Sequence, residues 1–177
     1  MRLELAFTTG PRPTVRQPRE WSLVTAPVHD PRCIFCKITS GAIPSARVLE
    51  TPHAIAFLDI NPLNPGHTLL VPRSHHPVLA DLPEEIAAHA GSLLPRLCRA
   101  VKAATRAEGL NVIVNNGRVA GQTVDHVHWH IIPRVTGDPV HWPWRQGKYA
   151  GDELKKMRAA IERELENVTW QDQGAHS

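Results

Sequence analysis

No stretch of this chain approaches the roughly 18 consecutive apolar residues of a membrane-spanning helix. The first twenty residues, MRLELAFTTGPRPTVRQPRE, carry one early Arg and a short apolar run but lack the apolar centre of a secretory signal. No five consecutive positions are Lys or Arg, which argues against a nonspecific nucleic-acid-binding tail. The formal charge of +3 is weak; it suits acidic ligands such as phosphates rather than a nucleic-acid coat. Cysteine is scarce. Cys33, Cys36 and Cys98 are an odd number in a chain without a signal segment, which argues against a disulfide framework. No internal repeat and no second domain is visible. The expectation is a soluble, cytoplasmic protein with no membrane or nucleic-acid partner.

With 177 residues, 42% of them hydrophobic, the chain fits one domain with a modest core. Residues 1–30, rich in Pro, Arg and Thr without a clear period, read as an extension, partly disordered. Trp21 to Val24 is a segment that docks on the domain or stays free. Strands are expected at Arg47–Glu50, Ala54–Asp59, His67–Val71, Leu110–Val114 and Val124–Ile132, the last stopped by Pro133. One long helix is expected from Pro83 to Glu108, with Gly109 just past its end and Pro95 kinking or splitting it. Its stripe is Ile86, Ala90, Leu93, Leu94, Leu97, Val101 and Ala104. A last helix starts near Asp152, an N-cap, with the stripe Leu154, Met157, Ile161, Leu165 and Val168. Strands outnumber helices and short turns join several of them. This favours an α+β fold, an antiparallel sheet with helices on one face.

Eleven histidines are the unusual figure. His126, His128 and His130 alternate with Val127, Trp129 and Ile131, so a strand would set three imidazoles on one face and the apolar residues on the other. Three adjacent imidazoles repel once protonated, so at least some are neutral, ligated or hydrogen-bonded. A neutral imidazole attacks phosphorus well, and its neighbours can donate to phosphate oxygens or to a leaving group. The glycine-containing turn at Gly121-Gln122-Thr123 exposes backbone N–H groups of the kind that bind anions. The residues alone leave a metal cluster as an equal reading of His-x-His-x-His. Cys33 and Cys36 have zinc-knuckle spacing, with reduced thiols or a redox pair as the other readings.

The wider pattern resembles the histidine triad (HIT) superfamily over residues 33–134. It includes Cys33-Ile-Phe-Cys-Lys-Ile38, Gly41-Ala-Ile-Pro44, Ala56-Phe-Leu-Asp-Ile60, Pro65-Gly-His-Thr68, Val71-Pro72, Asn111 to Gly117, and Gly121 through Arg134 with the triad inside it. The resemblance implies a five-stranded antiparallel sheet with two main helices, homodimers joined into a continuous sheet, and a HIT domain over 31–136. Residues 137–177 follow as a Trp-rich loop and helix packed on the domain or the dimer, where the rings of Trp142 and Trp144 either cover a base or a leaving group or pack as a tail. It implies His128 as nucleophile, His130 as a phosphate or leaving-group contact, and Asp59 on the ribose hydroxyls. Ile34, Phe35, Ile38, Phe57 and Ile60 would surround base and sugar. Asn115, Gln122 and Thr123 would hold the phosphate and nucleophile region. A structural Zn2+ on Cys33, Cys36, His75 and His126 is implied, with His76 the adjacent competitor of His75 and no catalytic metal required.

The transferase and phosphorylase branches carry Gln where this chain has His130, so the resemblance points to hydrolysis. The absence of any Cys after Cys98 sets aside the DNA-end-repair branch. The implied substrate is a purine nucleotide cut at its α-phosphate, releasing AMP or GMP: first a nucleoside phosphoramidate, with dinucleoside polyphosphates or a regulatory nucleotide-binding role as alternatives. His53, His67, His89, His141 and His176 are expected to be surface or packing residues, and Cys98 a small buried one.

Overall fold

The computed structural model describes residues 28–140 and 144–167. The expectations for the extension before residue 28, for His141 and Trp142, and for Val168 and His176 lie outside those residues. Five strands, β1 (Arg47–Glu50), β2 (Ala54–Leu58), β3 (Thr68–Pro72), β4 (Gly109–Ile113) and β5 (Trp129–Arg134), form one antiparallel sheet in the order β1-β2-β3-β5-β4. Three α-helices accompany it: α1 (Ile34–Thr39), α2 (Glu84–Thr105) and α3 (Glu153–Asn167). No helix among the described residues is long and apolar enough to cross a membrane.

Alternation along the strands sorts side chains between two layers. Ala54, Ala56 and Leu58 of β2, Leu70 of β3, and Trp129 and Ile131 of β5 meet the stripe of α2 and Ile161 and Leu165 of α3 in the main core. Ile55, Phe57, Leu69 and Val71 point the other way and pack with Phe35 and Ile38 of α1. Strands β2 and β3 are therefore buried at every position, as strands covered on both faces are.

The structure corrects four local expectations. Helices cover both faces, because the six-residue α1 lies opposite α2 and α3; one and a half turns leave too short a period to read in sequence. Pro95 does not split α2. It and Gly91, the residue whose carbonyl loses its partner, are both exposed, so water meets the freed group while Leu93 and Leu97 stay packed. The helix ends not at Glu108 but at Thr105, capped by Arg106 in a left-handed conformation (φ 54°), and Gly109 opens β4 opposite Arg134. Strand β5 starts at Trp129 and runs through Pro133, which pairs with Leu110 on β4. Strand β3 pairs only with Trp129–Ile131, so Pro133 lies past its end, where a missing N–H costs no ladder bond on that side. Asp152 does precede α3, with its carboxylate 3.0 Å from Lys156 Nζ.

Candidate active site

His126 and His128 precede β5, and only His130 stands within it. The residues that alternate with them are anchored in the core: Val127 and Ile131 are fully buried, and Val127 N–H donates to the His76 carbonyl at 2.7 Å. That anchoring aims all three imidazoles away from the core. The rings of His128 and His130 lie 4.7 Å apart, and Phe35 packs edge-on against His128 at 5.0 Å and His126 at 6.0 Å.

Hydrogen bonds assign the protons. His128 Nδ1 lies 2.7 Å from the His126 carbonyl, which only accepts, so Nδ1 carries hydrogen and Nε2 keeps its lone pair. Leu63 N–H donates to His67 Nδ1 at 3.3 Å, so the His67 proton sits on Nε2 and is donated to His130 Nδ1 at 2.9 Å. His130 is thereby left with an N–H at Nε2, beside a nucleophilic nitrogen on His128. Burial holds every member of this group neutral. It lowers His128 below the usual imidazole value, His67 to about 4 and His130 to about 3. Asp59 Oδ2 lies 3.6 Å from His67 Nδ1 and Asp59 Oδ1 accepts from Asn61 N–H.

His67 is the residue the sequence reading misplaced. It is neither a surface nor a bland packing residue but a buried partner of His130. The signal was available: a histidine straight after a Pro-Gly turn at the start of a strand otherwise made of apolar residues.

The imidazoles of His128 and His130 open into a cleft of about 680 Å³. Ile34, Phe35, Ile38 and Phe57 line it, with Asp59 and Ile60 and with Gly121, Thr123, His128 and His130. Ile60 is mostly exposed there. Asn115 and Gln122 do not line the cleft; they brace its glycine loop. Gln122 Nε2 donates to the carbonyls of Pro77 and Val124, its Oε1 accepts from Gly117 N–H at 2.6 Å, and Asn115 Nδ2 reaches the Gly121 carbonyl at 3.5 Å. Gly121 has φ +89°, a conformation that suits glycine. Trp144, whose ring was expected either to cover a base or leaving group or to pack as a tail, also lines it, as does Gln146. Among the described residues no Lys or Arg lines it, and Asp59 is the one carboxylate that does.

Behind this cleft Cys33, Cys36, His75 and His126 converge, their donor atoms all within 4.8 Å of one another. His126 Nε2 donates to the Pro72 carbonyl at 2.9 Å, which turns a free Nδ1 lone pair towards the sulfurs. That Nδ1 lies 3.5 Å from Cys33 Sγ, 3.7 Å from Cys36 Sγ and 3.3 Å from His75 Nδ1, and His75 Nδ1 lies 3.4 Å from Cys36 Sγ. A tetrahedral zinc with bonds of about 2.0–2.3 Å requires ligand-to-ligand edges of about 3.3–3.8 Å. All four distances fall in that range, so the residues fit the ion. Burial pushes the Cys36 thiol up to about 11, a cost that a bound cation reverses. His76 is turned to Ser74 Oγ instead, at 3.2 Å. Asp59, His67 and His130 also cluster, but the 2.9 Å contact between the two imidazoles is a direct hydrogen bond.

The family model described as HIT domain matches residues 40–137. The chain belongs to the HIT family. Among its relatives, the adenosine 5′-monophosphoramidase HNT1 of Saccharomyces cerevisiae is 41% identical over 140 residues, 77% of this chain and 85% of the yeast protein. The Protein hit of Bacillus subtilis is 39% identical over 136 residues, 75% of this chain and 94% of its own length. A Zn-bound histidine triad family protein from Mycobacterium smegmatis superposes with a TM-score of 0.67 at 34% identity, covering 77% of this chain and 98% of that one. The five-stranded antiparallel sheet with its helices is the fold of this family.

Proposed function

We propose that this HIT protein is a nucleoside phosphoramidase that works through a nucleotidyl-histidine intermediate on His128. The observation carrying the reading is the opposed pair of ring nitrogens: a lone pair on His128 Nε2 and an N–H on His130 Nε2, with the ring centroids 4.7 Å apart. The base would lie among Ile34, Phe35, Ile38 and Phe57, with the ribose hydroxyls on Asp59. The N–H and hydroxyl of Thr123, on a turn held by Gln122 and Asn115, would meet the phosphate oxygens, because the N–H groups of Gly121 and Gln122 already donate to the Arg118 and Gly117 carbonyls.

His128 Nε2 attacks the α-phosphorus as the P–N bond breaks. The departing nitrogen accepts the hydrogen bond of His130 Nε2–H, takes its proton from solvent at the cleft mouth and leaves as the free amine, while the His67 N–H holds His130 in this donor tautomer. A water molecule then attacks the same phosphorus and gives up one proton to solvent. The P–N bond to His128 breaks, and the nucleoside monophosphate departs with His128 restored.

Charge favours the phosphoramidate over the dinucleoside polyphosphate. The latter brings several ionised phosphates, and among the described residues no lysine or arginine lines the cleft to meet them. Kinetics on adenosine 5′-phosphoramidate beside diadenosine tetraphosphate test this. A higher kcat/KM for the phosphoramidate supports the reading, and the reverse order contradicts it.

The ion fitting Cys33, Cys36, His75 and His126 would be a structural zinc. It would clamp α1 to the segment that carries His128 and take no part in the reaction. A homodimer is proposed through β4, an edge strand paired only with β5 and carrying a half-exposed Val112; sedimentation of the purified chain checks it.

A further inference from the structure

Two neutral imidazoles joined by one hydrogen bond can hold their protons in two arrangements. With Leu63 N–H donating to His67 Nδ1, the His67 proton sits on Nε2 and His130 carries its own at Nε2. In the reverse arrangement His130 Nδ1–H donates to His67 Nε2, and the His67 proton moves to Nδ1. His130 Nε2 is then a second lone pair beside that of His128, with nothing to donate to a departing nitrogen. Among the described residues, Leu63 N–H and Asp59 Oδ2 face His67 Nδ1 and favour opposite arrangements. Leu63 N–H, at 3.3 Å, needs an acceptor there. Asp59 Oδ2, at 3.6 Å and too far for a good hydrogen bond, would accept a proton carried there if the ring moved closer. The seating of the loop 61–66 against His67 therefore decides between them.

Asn64 fixes that seating from both ends. Its carbonyl accepts His67 N–H at 3.0 Å, closing a turn through Pro65 and Gly66. Its side-chain amide donates to the Pro133 carbonyl at 2.9 Å and to Asp138 Oδ2 at 2.9 Å. Pro133 follows His130 on β5, so one side chain ties the loop to the strand that carries His130. Asp138, just past the family match, is a firm anchor. Its carboxylate also accepts from Arg134 Nε at 2.8 Å and Nη2 at 2.7 Å, and from the N–H groups of Val135 and Val140. The Arg134 guanidinium holds the Asp138 carboxyl well below the usual carboxylate range. Gly147 N–H donates to the Pro62 carbonyl and Gly66 N–H to Tyr149 Oη, so the loop keeps other fastenings when the Asn64 amide is removed.

We propose that Asn64 is a positioning residue for the reaction: by tying the loop 61–66 to Pro133 and Asp138 it keeps Leu63 N–H on His67 Nδ1, and so keeps the His130 N–H at Nε2, towards the departing nitrogen. This rests on the reading of His128 as nucleophile and of His130 as donor to the leaving group.

Two substrates separate positioning from general support. The amine of adenosine 5′-phosphoramidate leaves with the help of a donor, and the phenolate of adenosine 5′-(4-nitrophenyl phosphate) leaves without one. Asn64→Ala should lower kcat for the phosphoramidate about tenfold, the scale of one hydrogen bond at the departing group, with KM changed less than about twofold. It should slow the nitrophenyl ester by less than about twofold. Asn64→Asp sets a second carboxylate against Asp138 and should exceed Asn64→Ala in the same direction. Nitrogen-15 spectra of the histidine rings in the substrate-free proteins read the tautomer apart from the chemistry. His130 should carry its proton on Nε2 in the unaltered protein and share it with Nδ1 in both variants. Equal losses on the two substrates overturn the proposal, because a residue that merely supports the fold would depress both alike. So does a His130 tautomer that is the same in all three proteins. If the unaltered protein hydrolyses neither compound, the phosphoramidase reading fails, and the nitrogen-15 spectra alone then decide: a shifted tautomer upholds the role of Asn64, and an unshifted one overturns it.

Discussion

Gly66 offers a test in which fold and site are perturbed by one methyl group. Its φ is +94°, and an added Cβ would overlap Thr105 Cγ2 and come within 3.4 Å of Met157 Sδ. Gly66→Ala therefore carries two costs. Left-handed backbone costs a non-glycine residue about 1–2 kcal/mol, and forcing a methyl into a filled space costs about 1–3 kcal/mol. The sum, about 2–5 kcal/mol, corresponds in a domain of this size to a fall in Tm on the order of 10 °C. Because Gly66 precedes His67 and its N–H holds Tyr149, kcat/KM should fall along with stability. Thr105→Ser removes the offending methyl and keeps a hydroxyl for the Val101 carbonyl. Calorimetry on the two single variants and the double variant separates the terms, and Thr105→Ser should return the steric part while the backbone part remains. A Gly66→Ala protein melting within about 2 °C of the unaltered one, where about 1 kcal/mol shifts Tm by roughly 2–4 °C, would refute the reasoning.

Burial lowers His128 below the usual imidazole value, so the free nucleophile is already neutral at pH 7; the acid limb of kcat/KM should lie below pH 6.5, and a limb centred above it would contradict the assignment. His67 and His130 are held at about 4 and about 3 when folded against 6.5 when unfolded. Between those values the unfolded chain binds more protons, so stability is full above pH 6.5 and drains away as pH falls towards 4, by about 1.4 kcal/mol per pKa unit for each group as an upper scale. Denaturant melts at several pH values read this directly, and flat stability from pH 7 to 4 would refute it. Cys36→Ser should lose one equivalent of zinc per chain by elemental analysis and lower Tm. Retention of a full equivalent would show that the ion sits elsewhere.

The resemblance outlined the fold well, because apolar runs at Ala54–Leu58 and Thr68–Pro72 and the long stripe of α2 are strong local signals. What failed were the places where tertiary context overrides local pattern. Alternation through His126-Val-His-Trp-His read as one continuous strand, but β5 begins only at Trp129 and His126 turns into the Cys/His cluster instead. Pro133 read as a strand end because the chain alone does not reveal that β3 stops short of it. The site was legible where chemistry concentrates in a motif. His67 was marked only by its place after the Pro-Gly turn, and the role itself comes from a contact with His130, 63 residues away. Asn115 and Gln122 were named for the phosphate region, and the structure gives them loop-bracing bonds there.

The central claim is a covalent bond between His128 and a nucleotide. Rapid-quench mass spectrometry of the protein mixed with adenosine 5′-phosphoramidate tests it most directly, beside His128→Ala. The account predicts a transient adenylyl adduct mapped to His128, AMP release, and neither from the variant. AMP release by His128→Ala at the unaltered rate, with no adduct on either protein, would contradict it.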